Sequence, residues 1–197
     1  MSATSRRAAW SAGLRAPVLH LGRTRFRVMD VVVLAAAGFM LVQAPLSVVD
    51  AAWVANLEPL PRLALAGLLA GYVIERTRVV GAFGLLLGSI LGSEVILWAY
   101  APVAPEGSFG QRVDWLLGRI GGWIDAIGGG GVSNDPLVFA LAMAALAWLL
   151  GLVTAWLLFR DHAPWLAVLF SGLALLMNLS YAPTNLVGYV SWFAFGA

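Results

Sequence analysis

The chain has no cysteine, no lysine and only two histidines, and charge of either sign is scarce: 12 arginines and 10 carboxylates in 197 residues, 11% of the total. Without cysteine there is no disulfide, no thiolate metal ligand and no thiol nucleophile within this chain. His20 and His162 stand in different juxtamembrane segments, which argues against a zinc site built from this chain alone. Arginine carries all of the positive charge, a bias that fits a GC-rich genome as well as any guanidinium chemistry. The shortage of charge excludes more. Soluble domains carry about 25% charged residues, whereas a 61% hydrophobic share and a mean hydropathy of +0.87 leave more apolar surface than a water-facing fold of this size can hide. A bilayer takes helices of about 20 apolar residues without any need to bury them. The sequence predicts an all-α, polytopic transmembrane helix bundle, with the lipid bilayer as its solvent.

What is present is a succession of apolar runs around one long polar stretch. Residues 1–27 hold six arginines (Arg6, Arg7, Arg15, Arg23, Arg25, Arg27) and no acid. This is a basic cytoplasmic arm, a topology signal drawn to anionic head groups by about 1 kcal/mol per arginine near the surface; no nucleic-acid partner is expected. The arm and the run after it are too long for a secretory signal, so they read as a retained anchor. Residues 28–197 form the transmembrane domain. Its first span covers 28–49, where Pro45 is expected to kink or end the helix. The second covers 59–74, the shortest complete span, opened by prolines suited to a first helical turn. A charged turn at 75–78 leads into the third. Asp135 before Pro136 is a helix-start signature, giving a fourth span at 136–159, and a turn at 160–163 precedes a fifth at 164–181. The last run, Asn185 to Ala197, has 13 residues and reaches about 20 Å, short of a hydrocarbon layer of roughly 30 Å. The expectation is five full spans plus a short C-terminal hydrophobic helix, which either continues in a longer chain or ends against other subunits.

Small residues mark the expected helix contacts. Gly67 and Gly71 form a GxxxG pair in the second span, and Gly84, Gly88 and Gly92 recur every fourth residue in the third. Such faces permit close backbone approach where hydrophobicity does not drive helices together, and they predict a tight hairpin between these two spans. Two polar residues fall inside spans. Glu94, in the outer third of the third span, is the one intramembrane carboxylate: it serves proton or ion chemistry, or it simply reaches the interface near Trp98 and Tyr100, or it pairs with Arg112 or Arg119. Asn178, near the outer end of the fifth span, reads as a helix-to-helix hydrogen bond.

Counting arginines by segment, the arm with Arg76, Arg78 and Arg160 lies on one side, and Arg62, Arg112 and Arg119 lie on the other. By the positive-inside rule the amino terminus is cytoplasmic and residues 102–135 are external. Within them Val113, Leu116, Leu117, Ile120, Ile124 and Ile127 share one helical face. That is an amphipathic helix between spans three and four, either lying flat on the membrane or docking a partner domain. Gly121-Gly122 is expected to bend it. The run Gly128 to Gly131 is no phosphate loop, since no Lys-Ser/Thr follows it. The third span's glycines have no counterpart in spans four to six, which weakens an inverted-repeat transporter reading.

The stretch GGGGVSNDPLVFALAMAALAWLLGLVTAWLLFRDHAPWLAVLFSGLALLMNLSYAP, with the earlier VVDAAWVANLEPLPRLALAGLLAGYVIERTRV, resembles the amino-terminal membrane region of bacterial membrane-anchored transglutaminase-like proteins. The resemblance covers roughly residues 28–197. It rests on the SNDP start, the two-helix hairpin with an Arg-containing turn, and the end formed by Asn178, Tyr181, Ala182 and Pro183. It implies a helical bundle in a bacterial cytoplasmic membrane that precedes an extracytoplasmic enzyme domain using Cys, His and Asp. This chain has no Cys, so no catalytic, cofactor-binding or metal-binding residue carries over and no cofactor is expected. The function expected is therefore a non-catalytic anchor or scaffold that positions an extracytoplasmic domain or partner. Two alternatives are an accessory structural subunit of a larger respiratory or photosynthetic complex, and a small transporter or channel resting on Glu94.

Overall fold

A computed structural model describes residues 28–77, 81–131, 134–182 and 185–197; the basic arm at 1–27, Arg78 and the Pro183 of the family-like end lie outside them. Among the described residues there are seven α-helices and no strand: α1 (Val28–Ala51), α2 (Leu60–Arg76), α3 (Gly81–Tyr100), α4 (Phe109–Gly128), α5 (Pro136–Phe159), α6 (Pro164–Tyr181) and α7 (Gly188–Gly196), with a single 3-10 turn at Ala101–Val103. Four of them, α1, α3, α5 and α6, are long and apolar enough to cross a membrane. Helix α2 falls short of that measure. Its 17 residues rise about 25 Å and include Arg62, Glu75 and Arg76, so the expected count of five complete spans rests on a helix that only just approaches the hydrocarbon thickness.

Helix α5 is the axis of the bundle. Of its span 56% is buried, against 17% for α3 and for α6, and it lies against α2 along most of its length. Two small-residue faces make this possible. On α2, Ala64, Gly67 and Gly71 are buried; on α5, Ala144, Ala147, Gly151 and Ala155 are. A methyl added at Gly67 would run into the Trp148 carbonyl, one at Gly71 would stand 2.6 Å from the Ala155 Cβ, and one at Gly151 would meet the Ala64 carbonyl and stand 2.7 Å from the Leu68 amide nitrogen. The tight pair is thus α2 with α5. The α3 glycines face α5 too: Gly88 clears the Leu152 methyls, Gly92 clears the Trp148 indole, and Gly84 lies against Ile74 of α2. The expected α2–α3 hairpin forms, but the closest backbone approach lies elsewhere. The two helices touch, with Gly84 and Gly88 of α3 against Ile74 of α2, while the α2 glycines make their tight backbone contact with α5, whose residues are small where α2 is close and bulky where Gly88 and Gly92 leave α3 bare.

Pro45 lies inside α1 and does not end it. It is buried, and prolines persist in membrane helices when neighbours and polar side chains satisfy the carbonyls nearby. Pro45 has no N–H to give the Leu41 carbonyl, and beside it Gln43 Nε2 and Ser47 Oγ donate to the Phe39 (3.0 Å) and Ala44 (2.7 Å) carbonyls of the same helix. Helix α1 instead stops at Ala51, and Ala52 takes φ of 50°, the left-handed conformation that commonly closes a helix.

Helix α4 lies across the end of the bundle where α3 ends and α5 begins. Its start is a capping box: Gln111 N–H donates to Ser108 Oγ and the Ser108 N–H to Gln111 Oε1. It runs through Gly121-Gly122 without a break. The stop is a Schellman closure, with Gly131 N–H on the Ala126 carbonyl, Gly130 N–H on that of Ile127, and Gly130 at φ of 75°. The apolar stripe divides in use. Leu116 is fully buried, and Val113 and Ile120 are half-buried, while Leu117, Ile124 and Ile127 have no protein beneath them.

Candidate functional site

Polar side chains gather at the two ends of the bundle. At the end opposite α4, Arg76 of α2 pairs with Asp30 of α1 and bonds the Tyr72 hydroxyl (3.0 Å), while Arg160 after α5 pairs with Glu75 at 3.2 Å and lies over the Trp156 ring. These contacts tie α1, α2 and α5 together. His162 is an exposed turn residue with φ of 50°, not part of any cluster of three or more His, Asp or Glu among the described residues.

At the α4 end, the Asp135 side chain accepts from the Leu137 N–H (3.0 Å) as the α5 cap and also receives Arg119 of α4 (Nε to Oδ2, 2.7 Å). Arg119 lies over Trp115. Arg112 donates to the Gly107 carbonyl at 3.1 Å. Both arginines expected beside Glu94 are therefore engaged elsewhere. The Tyr100 hydroxyl donates to the Asn56 carbonyl (2.8 Å) and reaches that of Ala140 (3.3 Å), closing the loop after α1 onto α5. Tyr189 of α7 bonds Asp50, and burial, followed by that carboxylate, pushes its phenol up to about 12.

Asn178 of α6 is joined to α1 and its loop. Its Nδ2 donates to Ser47 Oγ (2.9 Å), and its Oδ1 accepts from Trp53 Nε1 (2.9 Å). Replacement Asn178→Leu is expected to lower stability by about 1–2 kcal/mol, since it strips two hydrogen bonds and leaves the buried Ser47 without that partner; unfolding in mixed micelles measures it. Ser171, on the same helix, is fully buried and its hydroxyl has no hydrogen-bond partner. Leaving a buried polar group unsatisfied costs about 1–3 kcal/mol, so Ser171→Ala is expected to keep or raise the melting temperature. A drop of several degrees would show that the hydroxyl is satisfied in the folded protein.

Glu94 lies on the outward face of α3, exposed among Ile90, Leu91 and Trp98. Among the described residues it has no hydrogen bond and no ion pair. An ionisable side chain within a span ordinarily faces the bundle interior, where partners offset its cost. Glu94 does the opposite.

The grooves are shallow and apolar. One of about 340 Å³ between α4 and α5 is lined by Trp123, Asp135, Val138 and Phe139, and its carboxylate is already paired with Arg119. Another of about 310 Å³, between α3 and the start of α4, is lined by Trp98, Pro102, Phe109 and Arg112. Neither sets a nucleophile beside a base. Sequence reasoning missed Trp148 and Gly151, the two residues on which the core turns. Trp148 is 2% exposed, and its indole N–H donates to the Gly88 carbonyl at 3.0 Å. The Ala147, Gly151, Ala155 spacing was the available signal for that face. Comparison of the chain with family models, with curated proteins and with solved structures finds no match.

Proposed function

We propose that this chain is a non-catalytic integral-membrane module that anchors and positions a partner at the membrane surface, and that the partner is an extracytoplasmic transglutaminase-like domain. The supporting observation is how its polar groups are used: Asp30, Glu75, Asp135, Asn178 and their partners hold helices to one another, and the grooves are lined mainly by apolar side chains. In this reading α2 makes a fifth crossing, shielded by α1, α3 and α5, and the amino terminus is cytoplasmic. Helix α4 then lies on the outer face of a bacterial cytoplasmic membrane, with Leu117, Ile124 and Ile127 toward lipid or partner.

A second reading, an accessory subunit within a larger membrane assembly, is favoured by the wide apolar faces that α3 and α6 turn away from the bundle. The third, a small transporter or channel, has Glu94 as its one support, and loss of liposome flux on Glu94→Gln would be its signature. The deciding experiment is purification from native membranes in mild detergent, with mass spectrometry of intact species. A transglutaminase-like domain, on the same polypeptide or in stoichiometric complex, is the result expected. A lone monodisperse 20.9 kDa species would sink the anchoring reading, and stoichiometric membrane subunits without such a domain would favour the second.

A further inference from the structure

We propose that the outward face of α3 is a docking surface for a transmembrane helix of a different protein, one that carries an arginine or lysine at the depth of Glu94. The inference rests on the scaffold reading and names the kind of partner that the scaffold holds in the plane of the membrane. Phe83, Leu87, Ile90, Leu91, Glu94 and Trp98 are all exposed, and their three- and four-residue spacing makes them one continuous stripe. The opposite face of the same helix is closed by α5, through Gly88 and Gly92. Nothing in the described chain covers the stripe.

Charge states what would cover it. Glu94 stands six residues before Tyr100, about 9 Å along the helix axis, deeper than Trp98 at the expected interface. Arg119 is held by Asp135 and Arg112 by the Gly107 carbonyl. Lipid chains offer a carboxylate no donor. A second copy meeting this face through a two-fold axis would set one Glu94 against the other, like charge on like. A helix with one cationic side chain at that depth supplies both the counter-charge and a partner for the apolar stripe, as intramembrane acid–base pairs do.

The test uses the full chain, labelled at a single cysteine introduced by Ser5→Cys, in phosphatidylcholine vesicles. The probes are acceptor-labelled polyleucine transmembrane peptides carrying one arginine at successive depths, or none. Energy transfer is expected to show at least tenfold tighter association for the peptide whose arginine matches Glu94. Arginine at other depths, or none, should not produce it. Glu94→Gln should abolish the preference while Glu94→Asp retains it, and both should fold, since the side chain is exposed and makes no hydrogen bond or ion pair among the described residues. Equal binding of the arginine-free peptide, or a preference that survives Glu94→Gln, overturns the proposal, as does Glu94-dependent self-association of the chain without peptide. Failure here with a complex still recovered from native membranes would remove the docking surface and leave the scaffold. Peptide binding with no such complex would do the reverse.

Discussion

Gly151→Ala is expected to destabilise the bundle by about 3 kcal/mol or more, enough to leave much of the protein unfolded or aggregated on extraction. The added methyl has nowhere to go. It would meet the Ala64 carbonyl and stand 2.7 Å from the Leu68 nitrogen, and both are backbone atoms of a helix that cannot rotate out of the way. Overpacking of a tight core costs about 1–3 kcal/mol where side chains can adjust, and more where they cannot. The better helix propensity of alanine, about 1 kcal/mol, offsets only part of this. Gly88→Ala should cost less, because the obstacle there is the Leu152 methyls at 2.7 and 2.8 Å, ends of a side chain that can change rotamer. Gly118→Ala is the control: no atom lies within 4 Å of its added methyl, so the propensity term alone should act and stability should rise by up to about 1 kcal/mol. Thermal unfolding of the parent and the three variants in one detergent checks the ranking. If Gly151→Ala matched Gly118→Ala, the close approach of α2 and α5 would be wrong.

Trp148→Ala is expected to cost about 3 kcal/mol. The residue holds three helices at once: its backbone abuts Gly67 of α2, its ring fills the space left by Gly92 of α3, and its N–H bonds the Gly88 carbonyl. In water-soluble cores removing a tryptophan costs about 3–5 kcal/mol, part of it transfer free energy and part of it cavity. In a bilayer the separated helices already lie in lipid, so the transfer part shrinks and the lost packing dominates. The lower end of the range is therefore expected. Trp148→Phe separates the contributions: it keeps most of the ring and loses the hydrogen bond, whose loss in membranes averages about 0.6 kcal/mol. A phenylalanine variant as unstable as the alanine one would assign the effect to the hydrogen bond instead of the ring.

Much of the helix plan is legible in the amino-acid sequence. Asp135 and Pro136 mark the start of α5, and the charged turn at Arg160 and Asp161 marks its end; the structure sets the helix at Pro136–Phe159. Pro164 likewise begins α6, which stops at Tyr181. The Ser108-x-x-Gln111 box is an equally local signal for the start of α4, and the Ala147, Gly151, Ala155 stripe is one for the contact face of α5; a search for glycine spacing alone passes over both. Pro45 misleads for a different reason. It sits buried inside a membrane helix, where a proline is tolerated that would break an exposed one.

The pairing of faces is not legible at all. A glycine stripe states that a backbone can come close, without naming which backbone, so Gly67 and Gly71 fit a hairpin with α3 as well as they fit α5. The direction of Glu94 is hidden for a related reason. Helix α3 is apolar on every side, and in lipid an apolar residue is as content outside the bundle as within it, so no amphipathic pattern points inward. Composition and apolar run lengths by themselves determined that this is a helical membrane protein, and the caps and turns determined where most of its helices begin and end, because those depend on local chemistry and on the solvent. Only the tertiary structure decided that α5 is the axis, that Trp148 locks it to α3, and that Glu94 faces away from its own chain, because those depend on which surfaces fit one another.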